Sequence, residues 1–384
     1  MMSNSHILFS LTASVMTPRE RLLASLLLEE PDMVPVSVRI NGISEPWMAE
    51  VGVLDGLMKV SDVLTGGSVS GSGSFCLTSA AREEITAVAD EAGLLRSRVE
   101  TPKGELTSVT RETVPGRPYI GAWTVKPFLE GEEDIERLMS IPYVPPVLDA
   151  RPFFERIKAI GEMGLVHAGF SDPIGILSSL FSLETFLMFC MRKTELVKEL
   201  LDVLLQRILD HVERSLELGV GPFYELSGPE MVCPTFLPPR YFDELVVRYD
   251  KPIVKAIHAG DGFAMMHCHG RVNKVLESFR EMGLDAVHPV EAPPEGDVIL
   301  ADAKRRIGRD LCIRGNVQLA ALDRATPSEI EGLCRGLIED AAAGGGLILE
   351  PTATPLPNTP LPNIYAFINA ARRYGVEWHR GYSK

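Results

Sequence analysis

The sequence predicts an α/β protein, built as a single (β/α)₈ TIM-type barrel with an N-terminal helical extension and a small β-hairpin insertion. From about residue 150 onward, apolar strand-like runs alternate with amphipathic segments, which is typical of βαβ units and a parallel sheet. About seven or eight such units in roughly 350 residues fit a barrel better than an open sheet. No GxGxxG follows an early strand, which disfavours a dinucleotide-binding fold.

The composition excludes several classes of protein. The 384 residues are 45% hydrophobic and 23% charged, which are ordinary values for a folded globular protein. A net charge of −14 argues against nucleic acid or an anionic membrane as the main partner. The six cysteines are scattered and form no CxxC pair, so we expect buried, reduced thiols in a cytoplasmic protein.

The N-terminal part of the chain is predicted in two pieces. Residues 1–16 are expected to be a disordered extension, because they lack the basic start of a signal peptide and are too short to span a bilayer. Residues 17–384 are predicted to form the barrel domain. This domain is predicted to begin with a helix that ends before Pro31. Thr17 is its N-cap, and Glu20 completes a capping box with Thr17.

Strands and helices then alternate along the chain. VPVSVRI at 34–40 is predicted to be a strand, and 95–112 a hairpin around a PKGE turn that serves as a lid or a dimer contact. The later predicted strands are GEMGLVHAGF, VGPFYELSGPE, FAMMHCHG, LDAVHPVE, DLCIRGNV and GGLILEPT. In a barrel the active site lies at the carboxyl ends of the strands, so polar residues that end these runs should meet there.

The most specific motif among these strand ends contains two histidines. His267 and His269 alternate with Cys268, so both imidazoles point to one face of the strand. Two imidazoles in this arrangement can bind Zn²⁺ or another divalent ion, and Glu291 and Glu350 are candidates to complete the metal site. Two alternatives stay open. The histidines either hold an anionic substrate by hydrogen bonds or are one structural and one solvated residue, and Glu291 caps a helix or lies on the surface.

The other strand ends carry further candidates. Arg314 suits a carboxylate or phosphate group, or else forms a salt bridge to a neighbouring barrel glutamate. The acids at the remaining strand ends either contribute to the site or cap helices. The predicted catalytic residues are Glu225, Arg314, Asp172 and Tyr224, and the predicted substrate-binding residues are Arg39, Asn316 and Glu230.

Several ordered segments together resemble the uroporphyrinogen decarboxylase superfamily, which also contains the cobalamin-dependent methyltransferases. They are TPRERLLASLLLEEPDMVPV, MMHCHG, GLDAVHPVEAPPEGDVILADAKRRIG, IRGNVQ and GGLILEPTATPLPNTPLPNIYAFINAARRYG. The resemblance covers nearly the whole chain from Thr17 and implies one (β/α)₈ barrel. The RQAGRY-type segment of true decarboxylases is replaced by SVRINGISEPWMAEVG, in which only Arg39 could bind substrate carboxylates. Asp62 could correspond to their catalytic aspartate.

The methyltransferase branch is the more similar one. The resemblance implies a zinc site made of an HxCG motif and a late cysteine, where zinc activates a thiol that accepts a methyl group from methylcobalamin. Here the motif is HxHG, so His267 matches the histidine and His269 the cysteine, while the late cysteine falls at about Ala353. Glu291 or Glu350 could replace it, which would favour an oxygen ligand more than the parent site does.

Three functions remain open at this point. The first is a metal-assisted methyltransferase that works between a small substrate and a corrinoid. The chain shows no DxHxxG corrinoid segment, so a partner protein would carry that cofactor. The second is a decarboxylase-type carbon–carbon lyase without metal, and the third is a non-catalytic binding protein. We expect Zn²⁺, a small-molecule substrate, a corrinoid protein and a homodimer as partners, and neither nucleic acid nor membrane.

Overall fold

The computed structural model describes residues 16–71, 75–88, 93–112 and 122–382. The predicted N-terminal extension therefore lies outside the described residues except for Met16, whose backbone N–H donates to Asp32 at 3.0 Å. Within the described parts of the chain, none of the helices is both long and apolar enough to cross a membrane.

The strands form two separate sheets. They are β1 (Val63–Gly67), β2 (Glu83–Ala87), β3 (Leu94–Thr101), β4 (Gly104–Glu112), β5 (Ala122–Lys126), β6 (Gly164–Ser171), β7 (Phe223–Ser227), β8 (Phe263–Cys268), β9 (Ala286–Pro289), β10 (Cys312–Arg314) and β11 (Leu347–Ile348). Seven of them make one curled parallel sheet in the order β1-β6-β7-β8-β9-β10-β11. This architecture confirms the α/β class and is consistent with a TIM-type barrel.

Among the described residues, three helices precede β1, one follows β11, and the others lie between consecutive strands of the parallel sheet. They are α1 (Pro18–Leu26), α2 (Ser44–Glu50), α3 (Leu54–Val60), α4 (Glu132–Met139), α5 (Arg151–Ile160), α6 (Pro173–Ser179), α7 (Leu183–Arg192), α8 (Thr194–Glu217), α9 (Pro239–Phe242), α10 (Arg248–Ala259), α11 (Leu276–Met282), α12 (Leu300–Ile307), α13 (Leu319–Arg324), α14 (Pro327–Ala341) and α15 (Leu361–Tyr382). A π-helical turn, Asp243–Val247, joins α9 to α10.

The segment predicted to be the first strand is not a regular strand. It makes a single parallel bridge, between Val36 and Leu349. Pro35 has no N–H to donate to a ladder, and Arg39 adopts a φ of 56°, which turns the chain out of the extended conformation. The segment still joins the two edges of the sheet, because Ser37 donates to the Leu349 carbonyl at 3.0 Å and Asp62 donates to the Val36 carbonyl at 2.7 Å.

Helix α1 closes the amino end of the parallel sheet. Its predicted capping box is present, since the Thr17 side chain accepts from the Glu20 N–H and the Glu20 side chain accepts from the Thr17 N–H. The helix ends at Leu26, earlier than predicted, because the chain reaches a φ of 60° at Leu28. Leu22 packs on the inward-facing apolar side chains of the strands.

The predicted hairpin is present as β3 and β4, which pair antiparallel up to Thr101 and Gly104. It is the centre of a larger insertion, a four-stranded antiparallel sheet in the order β2-β3-β4-β5. The sequence did not reveal the outer strands, because all residues of β2 and most of β5 are exposed and show no alternation of apolar and polar residues.

Candidate functional site

The inward face of the parallel sheet changes from apolar to polar within one layer. Near the amino ends of the strands, the inward residues belong to one buried apolar cluster: Leu64, Leu165, Phe223, Met265, Ala286, Cys312 and Ile348. Side chains two residues further along a strand point to the same side. Those positions are Gly66, His167, Glu225, His267, His288, Arg314 and Glu350. A ring of charged and imidazole side chains therefore lies at the carboxyl ends of the strands.

Arg314 is the centre of a buried ion triad in this ring. It is 1% exposed, and its Nε donates to Glu350 at 3.0 Å while its Nη1 donates to Glu225. Burial works against ionisation of Glu225, but the Arg314 guanidinium holds the pKa of that carboxyl well below its usual range. Of the two roles predicted for Arg314, the structure contains the salt bridge to neighbouring barrel glutamates. The guanidinium is paired with both Glu225 and Glu350.

The hydrogen bonds of His288 determine where the protons of the histidines lie. Its Nε2 is 3.0 Å from the Pro351 carbonyl, which can only accept, so this nitrogen carries a proton. Burial and then Arg39 hold the pKa of His288 well below its usual value, so the ring is neutral and its Nδ1 has only a lone pair. His267 Nδ1, at 2.8 Å, must therefore donate to it. The Nε2 of His267 is left with a free lone pair.

A carboxylate fixes the orientation of the His269 ring. Its Nδ1 lies 3.0 Å from Glu291 Oε1, and the other oxygen of Glu291 accepts the Gly270 N–H at 2.7 Å. Because the carboxylate accepts, the proton of a neutral His269 lies on Nδ1 and its Nε2 is free. The rings of His267 and His269 are nearly perpendicular, with centroids 4.6 Å apart. The HxH pair thus presents two lone pairs whose rings are fixed by neighbouring groups.

Both imidazoles line a cavity of about 370 Å³. We call it the histidine cavity. Its lining residues are Arg39, Asn41, Ile43, His267, His269, Leu319, Ala353, Thr354 and Leu356. Arg39 places its Nη1 3.3 Å from both ring nitrogens of His288. The cavity therefore combines two imidazoles and one guanidinium with apolar walls, as small-molecule sites commonly do.

Burial keeps the histidines of the ring neutral. It lowers the pKa of His267 to about 3, with Arg39 adding to the effect, and the pKa of His167 to about 4. His167 lies beside Glu225, with Nε2 3.8 Å from Oε1. Neutral imidazoles keep the lone pairs that metal ions and hydrogen-bond donors need.

The donor set fits part of a metal site. Neutral imidazoles with one nitrogen anchored and the other free are the usual form of metal-binding histidines, and the carboxylate behind His269 is the usual support. Among the residues that the structure describes, however, no three His, Cys, Asp or Glu side chains come together as a possible metal site. Glu291 supports His269, and Glu350 is bonded to Arg314. Among the described residues, the two imidazoles are therefore the side chains of this cavity that remain as candidates to bind a metal.

Several predicted site residues lie outside the histidine cavity. Tyr224 points to the other side of β7, where its hydroxyl donates to the Val220 carbonyl at 2.6 Å. Asp172 caps α6 by accepting the Gly175 N–H. Asn316 is buried and donates to the Val290 carbonyl, and Glu230 lines a different cavity. Their predicted catalytic or substrate-binding roles stay predictions.

Two members of the ring were assigned no role from the sequence: His167, which was not singled out, and His288, which lies at one of the predicted polar strand ends. His167 lies one strand from Glu225, and His288 lies edge to edge with His267, with ring planes 14° apart and ring centroids 4.9 Å apart. The signal that could have found them is the two-residue period, counted from the apolar layer toward the carboxyl end of each strand. Asp62 is placed differently from the expectation, because it precedes β1 at the opposite end and pairs with Arg21 at 2.6 Å.

Comparisons with known proteins agree with this geometry. A protein-family profile described as uroporphyrinogen decarboxylase (URO-D) matches residues 120–374. A methylcobamide:CoM methyltransferase (MtaA) of Methanosarcina barkeri is 24% identical over 372 residues, covering 94% of this chain and 99% of that protein. A uroporphyrinogen decarboxylase of Pseudoalteromonas translucida is 24% identical over 190 residues, covering 47% and 49%. A solved methyltransferase from Methanosarcina mazei has a TM-score of 0.60 at 20% identity, covering 94% and 99%.

Proposed function

Because this chain belongs to the uroporphyrinogen decarboxylase (URO-D) family, we propose that it is a methyltransferase that moves a methyl group between a small substrate and a corrinoid carried by a partner protein. The superfamily predicted from the sequence is confirmed, and the methyltransferase branch agrees with the relative that matches nearly the full chain. The observation that carries the proposal is the HxH pair, which presents two free imidazole nitrogens to the histidine cavity.

In this mechanism His267 and His269 would hold a zinc ion through their Nε2 atoms. A zinc ion bound there supplies Lewis acidity, which lowers the pKa of a coordinated thiol or polarises an oxygen. Glu291 and His288 keep the two rings in the orientation and tautomer that binding needs. Ile43, among the apolar side chains of the cavity, excludes water from the reacting atoms.

The remaining ring residues set the electrostatics of the site. Burial and then Arg39, whose Nη1 lies 3.3 Å from both ring nitrogens, hold the pKa of His288 well below its usual value, so this neutral imidazole accepts a hydrogen bond from His267. The Arg314 triad balances one cation against two carboxylates, and with Arg39 the charges of the ring cancel. A charge-balanced ring suits methyl transfer to or from a small, polarised heteroatom.

The lyase alternative is less well supported by the geometry. A decarboxylase of this family would need an acid near the reacting carbon, and the acid expected from the sequence, Asp62, pairs with Arg21 behind the apolar layer. Arg39 is the one observation that favours a carboxylated substrate, since it lines the histidine cavity. We therefore place methyl transfer first.

The proposal also covers the domain organisation of the chain and its location in the cell. We infer that residues 17–384 form one barrel domain in which residues 34–40 occupy the eighth strand position, because they join both edges of the sheet. A cytoplasmic location is part of the proposal, since all six cysteines lie within the described residues as buried, free thiols. The predicted homodimer stays a prediction.

A methyl-transfer assay tests the proposed function. The zinc-loaded protein is incubated with methylcobalamin and a panel of thiols and amines, and demethylation of the cobalamin is followed by its absorbance. We expect turnover by the parent chain and a loss of at least about 100-fold in the His267→Ala/His269→Ala double variant. His258→Ala, which removes a surface histidine bonded to Asp285, is the matched control. Equal turnover in the double variant would contradict the proposal.

A further inference from the structure

A second cavity opens at the carboxyl ends of β6 and β7, about 320 Å³ in volume. We call it the serine–glutamate cavity. The lining residues that matter here are Ser171, Ser227, Gly228, Glu230, Phe181 and Phe186. It shares no residue with the histidine cavity, and the site described above does not use it.

We propose that the serine–glutamate cavity binds the cationic end of the substrate, an ammonium or methylated ammonium group, while the heteroatom that exchanges the methyl group lies in the histidine cavity. This inference rests on the proposed methyltransferase function and specifies its substrate class.

The first support is the charge of the cavity wall. Glu230 has a buried carboxylate oxygen, Oε2, without a hydrogen-bond partner among the described residues. No lysine or arginine is among the lining residues that the structure describes. A bound cation would satisfy this oxygen, whereas an anion would be repelled by it.

A fully buried carboxyl lies directly behind the same wall. Asp172 is 0% exposed and shares a side-chain hydrogen bond with Asp250, and burial together with this second acid raises the pKa of Asp172 well above its usual value. A Cβ added to Gly228, which lines the cavity, would lie 2.5 Å from Asp172 Oδ1, so only glycine backbone separates this carboxyl from the cavity. A side chain at this glycine would also be strained, because its φ is 130°. Asp172 therefore adds no negative charge, and Glu230 is the acidic residue among the described residues of the cavity lining.

The second support is an aromatic wall. Phe181 and Phe186 line the cavity with ring centroids 6.2 Å apart, and both are almost fully buried. The faces of aromatic rings attract ammonium groups, and the attraction grows when the cation is desolvated. A carboxylate together with aromatic rings suits a methylated ammonium better than a neutral apolar group.

The third support is the register of the strands. Ser171 pairs with Ser227 across β6 and β7, and Ser227 pairs with His267 across β7 and β8. Both serines have the same inward parity as His167 and Glu225 on their strands. With neighbouring strands about 4.8 Å apart, Ser171 and His267 are separated by about 10 Å. A small molecule of that length would reach from one cavity to the other.

The test uses two probes of the same shape, choline and its neutral isostere 3,3-dimethylbutan-1-ol. Their binding to the full chain is measured by titration calorimetry without metal or corrinoid, so that the result does not depend on methyl transfer. We expect choline to bind at least about tenfold more tightly than the isostere. Glu230→Gln should remove this preference, whereas Glu155→Gln, at an exposed position of α5, should retain it.

The outcomes separate the two proposals. Equal affinity for the two probes, or an unchanged preference in Glu230→Gln, would overturn the cation site even if methyl transfer is active. Thermal unfolding of each variant checks that it is folded, and Ser178→Leu, which narrows the cavity, should weaken the binding of both probes. Tighter binding of acetate than of choline would also overturn the inference.

Discussion

At the residue scale, the candidate site depends on which nitrogen of each imidazole carries a proton. His267 donates through Nδ1 to His288, and His269 through Nδ1 to Glu291. In a neutral ring, each bond leaves the Nε2 atom without a proton. Two different partners therefore favour the same tautomer at the end of β8. The spacing of the HxH motif alone predicts the common face but not this tautomer, because the partners come from β9 and the loop after it.

The support that Glu291 gives to His269 leads to the first prediction. Glu291→Ala should weaken zinc binding by about 10–100-fold, because it frees the ring and the proton position of His269. Affinity is measured by competition with a chromophoric chelator. Glu281→Ala, at an exposed position of α11, serves as the control and should bind zinc like the parent. If both variants bind zinc equally well, Glu291 has no role in supporting a metal.

The buried histidines predict a dependence of stability on pH. The pKa of His167 is about 4 in the folded protein and about 6.5 when unfolded. Between these values the unfolded chain binds more protons, so stability is fully present above pH 6.5 and is lost as the pH falls toward 4.

This dependence is measured as the free energy of unfolding in urea at several pH values from 7 to 4.5. His167→Gln should reduce the slope in this window by up to about 1.4 kcal/mol per pH unit. His258→Gln, at a surface position, should leave the slope unchanged. A His167→Gln variant with the parent slope would show that this imidazole is not held neutral.

Most of the ring could be predicted from the sequence, and the exceptions have a physical cause. His267, Glu225, Arg314 and Glu350 were found because they end obvious apolar runs. His167 lies in the middle of its apolar run, where nothing in the local sequence distinguishes a functional histidine from a packed one. The pairing of β6 with β7 brings its side chain close to Glu225, with Nε2 3.8 Å from Oε1.

At the element scale, the parallel strands were predictable and the insertion was not. Strands β6 to β11 are short apolar runs bounded by turn residues and helices, and the structure has a strand at each of these runs. Every residue of strand β2 is exposed, so its sequence lacks the alternation of apolar and polar residues that predicts a strand. The bend at Arg39, with its φ of 56°, likewise came from the fold and not from local preference.

Helix α1 carries a prediction of its own. Leu22 is 0% exposed and packs against the inward apolar layer, whereas Leu27, just beyond the helix, is 45% exposed. Leu22→Ala should therefore lower the free energy of unfolding by about 2–5 kcal/mol, because it leaves a cavity under the ring. Leu27→Ala should change it by less than about 0.5 kcal/mol. Chemical denaturation compares the two, and equal effects would mean that α1 does not seal the sheet.

At the scale of the whole molecule, the two ends of the parallel sheet have separate tasks. The amino end is apolar and sealed by α1, and the carboxyl end carries the charged ring and opens into two cavities. The polar carboxyl end was predicted from the residues that end the strands, whereas the apolar layer under α1 was not predicted. The two edges of the sheet are joined by hydrogen bonds of residues 35–37 with Leu349 and Asp62. No local sequence pattern predicts these hydrogen bonds.

The measurement that tests the account most directly is the zinc content of the purified protein. The parent chain, prepared without a histidine tag and incubated with Zn²⁺, is compared by mass spectrometry of the metal with the His267→Ala/His269→Ala double variant and the His258→Ala control. We predict near-stoichiometric zinc in the parent and the control, and none in the double variant. Zinc retained by the double variant, or no zinc in any of the three proteins, would contradict the account.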